Sequence, residues 1–363
     1  MGVNMEFKPD FSLKAEGEDI TAAIRRGLVS LTLTDYGGGT GNTDELQVTL
    51  MSETLKLPAK GVRLDLALGF NGQLTNKGTF VVCAVESSGP PRMVTFTATA
   101  APMNGDRHGG NVSNQKSRSF DDVTLGDIVT TVARDNGLKP RIASALAAIK
   151  PGHIVQNRES DAALLLRLAR LYNAVSKPSG GYWLFVEQGK LATPSGAPLP
   201  EQTIILSEVS RWQYSEGEKG GAGKKEGDKK KGNVAINYLD SETGETKTVT
   251  VEHDGKDTSH PYTQSSKGKA EAAGKSKAAG TARNSRKMSI TMPCRPYQIA
   301  LTAESKITTQ GFGEKEDRPW LVESLKYSLG STGMTLDVSL VASIDSKGTG
   351  KKKKDENPVL VVT

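Results

Sequence analysis

The sequence predicts an α+β fold that is mainly β: two similar antiparallel β-barrel modules flanking an α+β middle domain. Three observations predict it. One strand pattern occurs twice, period-two alternation dominates both ends of the chain, and helical periodicity is confined to the middle. The first copy of the pattern reads Leu68-Gly69-Phe70, a polar turn, Thr79 to Glu86, a Gly/Pro turn, then Met93 to Thr99. The second reads Gln310-Gly311-Phe312, a polar turn, Pro319 to Lys326, a Gly turn, then Gly333 to Ser339. Phe80 and Trp320 stand 240 positions apart, as do Phe96 and Leu336. A chain with two equivalent modules that trimerises would show a six-fold-like face.

Taken in order, residues 1–105 form the first module. Leu31 to Thr34, Leu46 to Leu50 and Val62 to Leu68 alternate apolar and polar residues, the signature of strands buried on one face. About six strands are expected here. Gly37 to Asn42 is a flexible turn, and Ile20 to Arg26 is compatible with a short helix without requiring one. Residues 106–206 are the middle domain, entered through a polar stretch over 102–119 that reads as a linker. Thr124 to Asp127 resembles a capping box, and Leu125, Ile128, Val129 and Val132 follow at i, i+3, i+4, i+7. Asn136-Gly137 supplies the stop. A second helix starts at Ser160-Asp161 and carries Leu164, Leu165, Leu168, Leu171 and Tyr172, and Tyr182 to Glu187 reads as a strand.

Residues 207–345 form the second module. A Lys/Gly-rich insertion over 217–232 is too polar to bury. Asn233 to Tyr238 and Lys247 to Glu252 make a hairpin around Ser241 to Gly244, Lys267 to Arg286 an exposed helix, and 287–343 more strands. Residues 346–363 are a basic flexible tail.

Composition narrows the function classes. The chain has 363 residues, 36% hydrophobic and 5% aromatic, which suits several small cores better than one large one. No apolar run is long enough to span a bilayer, so no membrane anchor is expected, and Met1 to Glu6 carries no apolar signal region. The two cysteines, Cys83 and Cys294, fit a reduced folding environment. The net charge is +6, but the excess lies in the runs Lys224-Lys225, Lys229 to Lys231, Lys267 to Lys277 and Lys351 to Lys354. None is interleaved with aromatics that could stack bases, so no specific nucleic acid is expected.

No constellation in the sequence points to catalysis. His108, His153, His253 and His260 have no metal-ligand spacing, and neither cysteine has a histidine nearby. Gly37 to Gly41 lacks the Gly-Lys-Ser/Thr ending of a phosphate loop. Ser160-Asp161 fits a helix cap with an acid at the positive end of the dipole. Arg158, Arg167 and Arg170 read either as a solvated helix face or as a site for a partner's carboxylates. Trp183, Trp212 and Trp320 sit in strand patterns and read as core. The expectation is therefore no catalytic, cofactor-binding or metal residue, and no cofactor.

The middle segment carries a resemblance. Thr124 to Val129, Asn136-Gly137-Leu138, Gln156, Glu159-Ser160-Asp161, Leu165, Arg167-Leu168-Ala169 and Tyr172 resemble the phage late control protein D family, the baseplate hub of contractile tails. That family is similar to the N-terminal hub part of VgrG proteins of type VI secretion. The likeness extends to Gly311-Phe312 and Pro319 to Leu325. Leu165-Leu166 stands where an aromatic is common. The resemblance implies a structural, non-enzymatic homotrimer whose six β-modules form a pseudo-six-fold ring. Its implied partners are the hexameric tail tube protein, a trimeric spike protein, other baseplate proteins and a tape-measure protein. The chain lacks the OB-fold and β-helical spike that VgrG proteins append, so the spike tip is expected to be a separate protein. Such a protein is made in the bacterial cytoplasm and assembled into a virion or a tailocin-like contractile injection particle. Two other classes are a secreted effector or cell-wall-degrading tail protein, which needs a catalytic cleft, and a nucleic-acid-binding protein, which needs the lysine runs.

Overall fold

The computed structural model describes residues 7–38, 41–101, 111–193, 196–217, 232–253 and 256–343. The sequence-predicted insertion, apart from Gly217 and Gly232, and the basic tail lie outside the described residues. The first module contains β1 (Pro9–Ala15), β2 (Glu18–Asp19), α1 (Thr21–Arg25), β3 (Leu28–Tyr36), β4 (Glu45–Met51), β5 (Arg63–Phe70), β6 (Gln73–Ser88) and β7 (Met93–Thr99). Its strands form where alternation buries one face. Leu31 and Leu33, Leu46, Val48 and Leu50, and Leu64, Leu66 and Leu68 are all buried while their neighbours face outward.

The middle contains β8 (Gln115–Phe120), α2 (Leu125–Asp135), β9 (Lys139–Ile142), α3 (Ser144–Ala147), β10 (Ile154–Ser160), α4 (Asp161–Leu171), β11 (Ala174–Ser179) and β12 (Tyr182–Glu187). The capping box at α2 forms as the sequence predicts. Thr124 Oγ1 accepts from the Asp127 amide at 3.1 Å, and Asp127 Oδ2 accepts from the Thr124 amide at 2.9 Å. Gly137 stops the helix at φ 69°, a conformation that costs glycine little. The apolar stripes of α2 and α4 meet Trp183 and Phe185 in one core. Four strands, β8 to β11, go beyond the sequence reading, which named only β12 here. Residues 115–120 are a strand paired with β10, not linker, and β11 forms directly after α4 to pair with β12.

The remainder contains β13 (Glu201–Ile205), β14 (Arg211–Glu216), β15 (Gly232–Leu239), β16 (Thr246–His253), β17 (Thr258–Ser259), α5 (Lys267–Asn284), β18 (Arg286–Pro293), β19 (Lys306–Gln310), β20 (Pro319–Gly330) and β21 (Gly333–Ala342). Six of these strands repeat the first module. Spatial order there is β3-β4-β7-β6-β5-β1, and here it is β14-β18-β21-β20-β19-β13. Ranked by appearance along the chain, both orders read second, third, sixth, fifth, fourth, first. Both long middle strands carry a register shift at matching places. It falls between Val82 and Ala84 against β7, and between Val322 and Ser324 against β21. A bulge adds one residue and bends the strand, so two bulges at equivalent sites argue for duplication more strongly than similar composition does. Phe80 and Trp320, just before the bulges, are 2% and 0% exposed.

The repeat is not perfect. The pairings align Phe96 with Val338, two residues beyond the Leu336 that the sequence pattern suggests. Gly69-Phe70 ends strand β5, whereas Gly311-Phe312 lies past the end of β19. β1 runs antiparallel to β5, but β13 runs parallel to β19.

The expected pair of barrels is not what the pairings make: among the described strands no barrel closes. β20 pairs with β3 from Ser324↔Tyr36 to Gly330↔Ser30, which fuses both modules into one 13-stranded sheet. Their inward residues form a single hydrophobic cluster, from Phe11 and Leu31 through to Trp320 and Leu340. Fusion covers an edge of each module, and an uncovered edge invites association.

The hairpin β15–β16, with β17 and α5, is inserted between β14 and β18 and has its own small core of Val234, Ile236, Tyr238 and Ala270. α5 is not simply exposed. Its small residues Ala270, Ala273 and Gly274 are buried. A Cβ on Gly274 would lie 2.6 Å from Ile236 Cδ1 and from Val251 Cγ2, whereas one on Gly280 would meet nothing within 4 Å. Gly274→Leu is therefore expected to destabilise this unit by about 1–3 kcal/mol through overpacking. Gly280→Leu should be neutral or slightly stabilising, because a good helix former replaces glycine in open space. Hydrogen exchange of the β15 and β16 amides separates the two outcomes.

Candidate functional site

The described cavity with the richest chemistry lies where all three parts of the chain meet. It holds about 490 Å³ and is lined by Asp35 and Asp44 beside β3 and β4, Lys77 of β6, Lys177 of β11, Glu304 before β19, and Tyr327 of β20. Lys177 organises it. Its Nζ donates to Asp35 Oδ1 at 2.6 Å, to the Tyr36 carbonyl at 2.7 Å and to Asp44 Oδ1 at 3.0 Å. Asp35 Oδ2 accepts from the Ala303 amide at 2.9 Å. Glu304 accepts from the Gly38 and Gly189 amides, each at 3.0 Å. Lys77 donates to the carbonyls of Ile299 and Leu301, and its Nζ lies 4.5 Å from the centre of the Tyr327 ring.

Electrostatics follow from one lysine serving two buried carboxylates. Burial pushes Asp44 up to about 7, with Asp35 adding to the rise against Lys177. Burial would raise Asp35 too, but Lys177 outweighs it and holds that group low. For Lys177, burial works against the charge, and the two carboxylates overcome it and raise its pKa. Burial lowers Lys77 to about 8. The three donors of Lys177 are all engaged by the chain itself, and Asp35 and Glu304 tie in Ala303, Gly38 and Gly189, so the arrangement clamps the middle part to both β-modules.

A second ionic cluster holds the middle part together. Asp161 is fully buried, which the sequence reading as a simple N-terminal acid missed. Its carboxylate accepts from Lys116 at 2.6 Å, Arg118 at 2.8 Å, Gln156 at 2.9 Å and Asn136 at 2.7 Å. Ser160 does cap α4, accepting from the Ala163 amide at 3.2 Å. The partners of Asp161 come from β8, β10 and the end of α2, up to 45 positions away. No local pattern could have shown them.

The other sequence candidates lie apart. His153 pairs with Asp121 on the surface, His253 Nε2 faces the Lys256 carbonyl, and His260 contacts Tyr262. His108 lies outside the described residues. No group of three His, Cys, Asp or Glu side chains that could hold a metal ion occurs among the described residues. No described helix is long and apolar enough to cross a membrane. Cys83 and Cys294 are free thiols, and burial pushes Cys294 up to about 12. Arg167 is already bridged to Glu159 at 2.8 and 3.0 Å. Trp183 and Trp320 are core as expected, but Trp212 is 37% exposed.

Comparison with known proteins adds to this geometry. The family model for the phage tail baseplate hub (GPD) matches residues 112–333. A probable baseplate hub protein of Escherichia phage 186 is 33% identical over 213 residues, 58% of this chain and 54% of that protein. The chain thus matches about half the length of that curated relative. The 43 kDa tail protein of prophage MuSo2 from Shewanella oneidensis shares the fold at TM-score 0.67 and 14% identity, over 93% of this chain and 98% of that one. The c3393 protein of E. coli, a component of the type VI secretion system, shares it at TM-score 0.52 and 10% identity, over 91% of this chain and 76% of that one.

Proposed function

This chain belongs to the phage tail baseplate hub family, and from that premise we propose that it is the central hub of a contractile tail or tail-like particle, joining a hexameric tube to a three-fold spike. One observation carries the reading: two modules with the same strand order and the same bulge lie fused in one sheet. Three such chains carry six equivalent modules. A closed ring of them is three-fold by chain and six-fold by module, which is what a joint between those two symmetries needs.

The work of the joint is mechanical. Force passing from tube to spike must cross the module junction, where the β3–β20 strand pair and the Lys177 clamp hold the parts together. The second module in this reading begins at β13, since β13 completes the repeated strand order. The middle part and the hairpin–helix insertion then project from the ring and are free to contact spike and baseplate proteins. Copurification with the tube and spike proteins of the same particle tests the proposal. A complex containing three copies of this chain with both partners is expected, and failure to bind either would overturn it.

A further inference from the structure

Two lysines line the cavity at the junction, and the chain satisfies them unequally. Lys177 holds two carboxylates. Lys77 forms no ion pair among the described residues. Its Nζ donates to the carbonyls of Ile299 and Leu301 and lies beside the Tyr327 ring. The carboxylates of the cavity are engaged elsewhere. Asp35 serves Lys177 and the Ala303 amide, Asp44 serves Lys177 and the Tyr36 amide, and Glu304 serves the Gly38 and Gly189 amides.

The backbone aims Lys77 at this space. Early in β6, Leu66 pairs with Gly78 and Ala67 with Asn76, so Lys77 is the extra residue of a bulge, with Gly78 at φ 113° beside it. A bulge of this kind re-aims a side chain. Around it the cavity walls are largely apolar, with Leu33, Phe80, Val175, Leu184 and Leu199 among them. About 490 Å³ of space with apolar walls and a few fixed polar groups is the size and character of a small-molecule site. Lys77 itself is half-buried, so the site is reachable from solvent. Desolvation of its ammonium lowers Lys77 to about 8, with Asp35 and Cys294 opposing from a distance. Carbonyls and a ring compensate the charge only in part, since neither carries a full negative charge.

We propose that this cavity binds a small monocarboxylate with an apolar body, its acid group on Lys77 and its body along Leu33, Phe80 and Leu184. Charge decides the class. The acid supplies the anion that Lys77 lacks, whereas a ligand cation would meet Lys77 with like charge. Such a ligand touches the first module through Leu33 and Phe80, the middle part through Leu184 and the second module through Tyr327, so its binding would tighten the clamp. None of this depends on the hub reading.

Calorimetric titration of the full chain with decanoate, decanol and decylamine at pH 7 tests it. Decanoate is expected to bind about tenfold more tightly than either, the worth of a hydrogen bond between charged groups. Lys77→Met, which keeps the bulk and removes the charge, should abolish that preference. The ammonium is the form that binds, so affinity should fall by about tenfold per pH unit once pH passes about 8. Of the groups around Lys77, Asp35 is held low, Cys294 is pushed up to about 12, and Tyr327 and Lys177 are raised, so none of these titrates in that window. Asp44, at about 7, and Glu304, which burial raises, come nearer, and the fall should persist in Asp44→Asn and in Glu304→Gln. Acetylation of the wild type, mapped by peptide mass, needs no variant. Decanoate at about ten times its measured Kd should slow acetylation of Lys77 by about tenfold and leave exposed lysines unchanged, and decanol should protect less. If Lys77→Met fails to fold, this protection decides. Absence of binding, equal binding of the three probes, or a decanoate preference that leaves Lys77 unprotected overturns the site.

Discussion

Asp161→Ala is expected to cost the folded chain about 3–5 kcal/mol at pH 7, read as a lower urea midpoint for the middle part. The carboxylate is fully buried and holds two cations and two side-chain amides from three different elements. Removing it leaves Lys116 and Arg118 with only the more exposed Asp135 as an anion, and the Asn136 and Gln156 amides with only the carbonyls of Val132 and Glu159, which places the loss at the lower end of the range for a buried ion pair broken from one side. Burial alone would raise the pKa of Asp161, but hydrogen bonds from Lys116, Gln156 and Asn136 outweigh it and lower the value. A lowered folded pKa means that the stabilisation is present above the unfolded value of 3.8 and is lost as pH falls through the folded value. The difference between wild type and variant should therefore narrow in strong acid. Asp161→Asn, which keeps an acceptor but no charge, should fall between the two.

Lys177→Met has the second large effect, again about 3–5 kcal/mol near pH 7, because it leaves Asp35 and Asp44 facing each other under the same roof without the cation that bridges them. The penalty again shrinks on acidification, but here because the variant gains stability rather than because the wild type loses it. Once Lys177 is gone, only the Ala303 and Tyr36 amides and the charge of Lys77 oppose burial and mutual repulsion, so the pair takes up a proton. Its folded affinity for protons then exceeds the unfolded one, and the penalty should shrink as pH falls towards 4. The wild type already leans this way at Asp44, whose pKa is pushed up to about 7 from 3.8. Its favourable contribution is full below about 4 and is lost as pH rises through about 7. Asp44→Asn should accordingly flatten the loss of stability between about pH 4 and 7. Unfolding curves at several pH values, compared across the two variants, check both signs.

The parts of the fold that were legible in the sequence are those written locally. The cap at Thr124, the stripe from Leu125 to Val132, the stop at Gly137 and the hairpin around Ser241 to Gly244 all form where the spacing places them. The repeat was visible because Phe80 and Trp320 keep their spacing and both face the core. What stayed hidden depends on partners distant in sequence. β8 reads Gln-Lys-Ser-Arg-Ser-Phe, too polar to announce a strand, and forms because its cations serve Asp161. β11 contains Pro178, which weakens any strand reading, and it is held by pairing with β12. The fusion through β3 and β20 joins residues about three hundred positions apart, and nothing in either strand alone specifies it. The Lys177 clamp draws on three parts of the chain at once, so no spacing rule could have assembled it.

The identity of the strand orders changes what kind of object the chain is. Two barrels on a string would be free to reorient, whereas two copies of one topology fused through a shared sheet fix the angle between modules. That fixed step is the physical basis for expecting a ring. The most direct test of that claim is the absolute mass of the purified chain in solution, measured by light scattering over a range of concentrations. The account predicts a species at three times 38.6 kDa, reached from below as concentration rises and sharply bounded above. A mass that stays at one chain throughout, or that grows without limit, would contradict it.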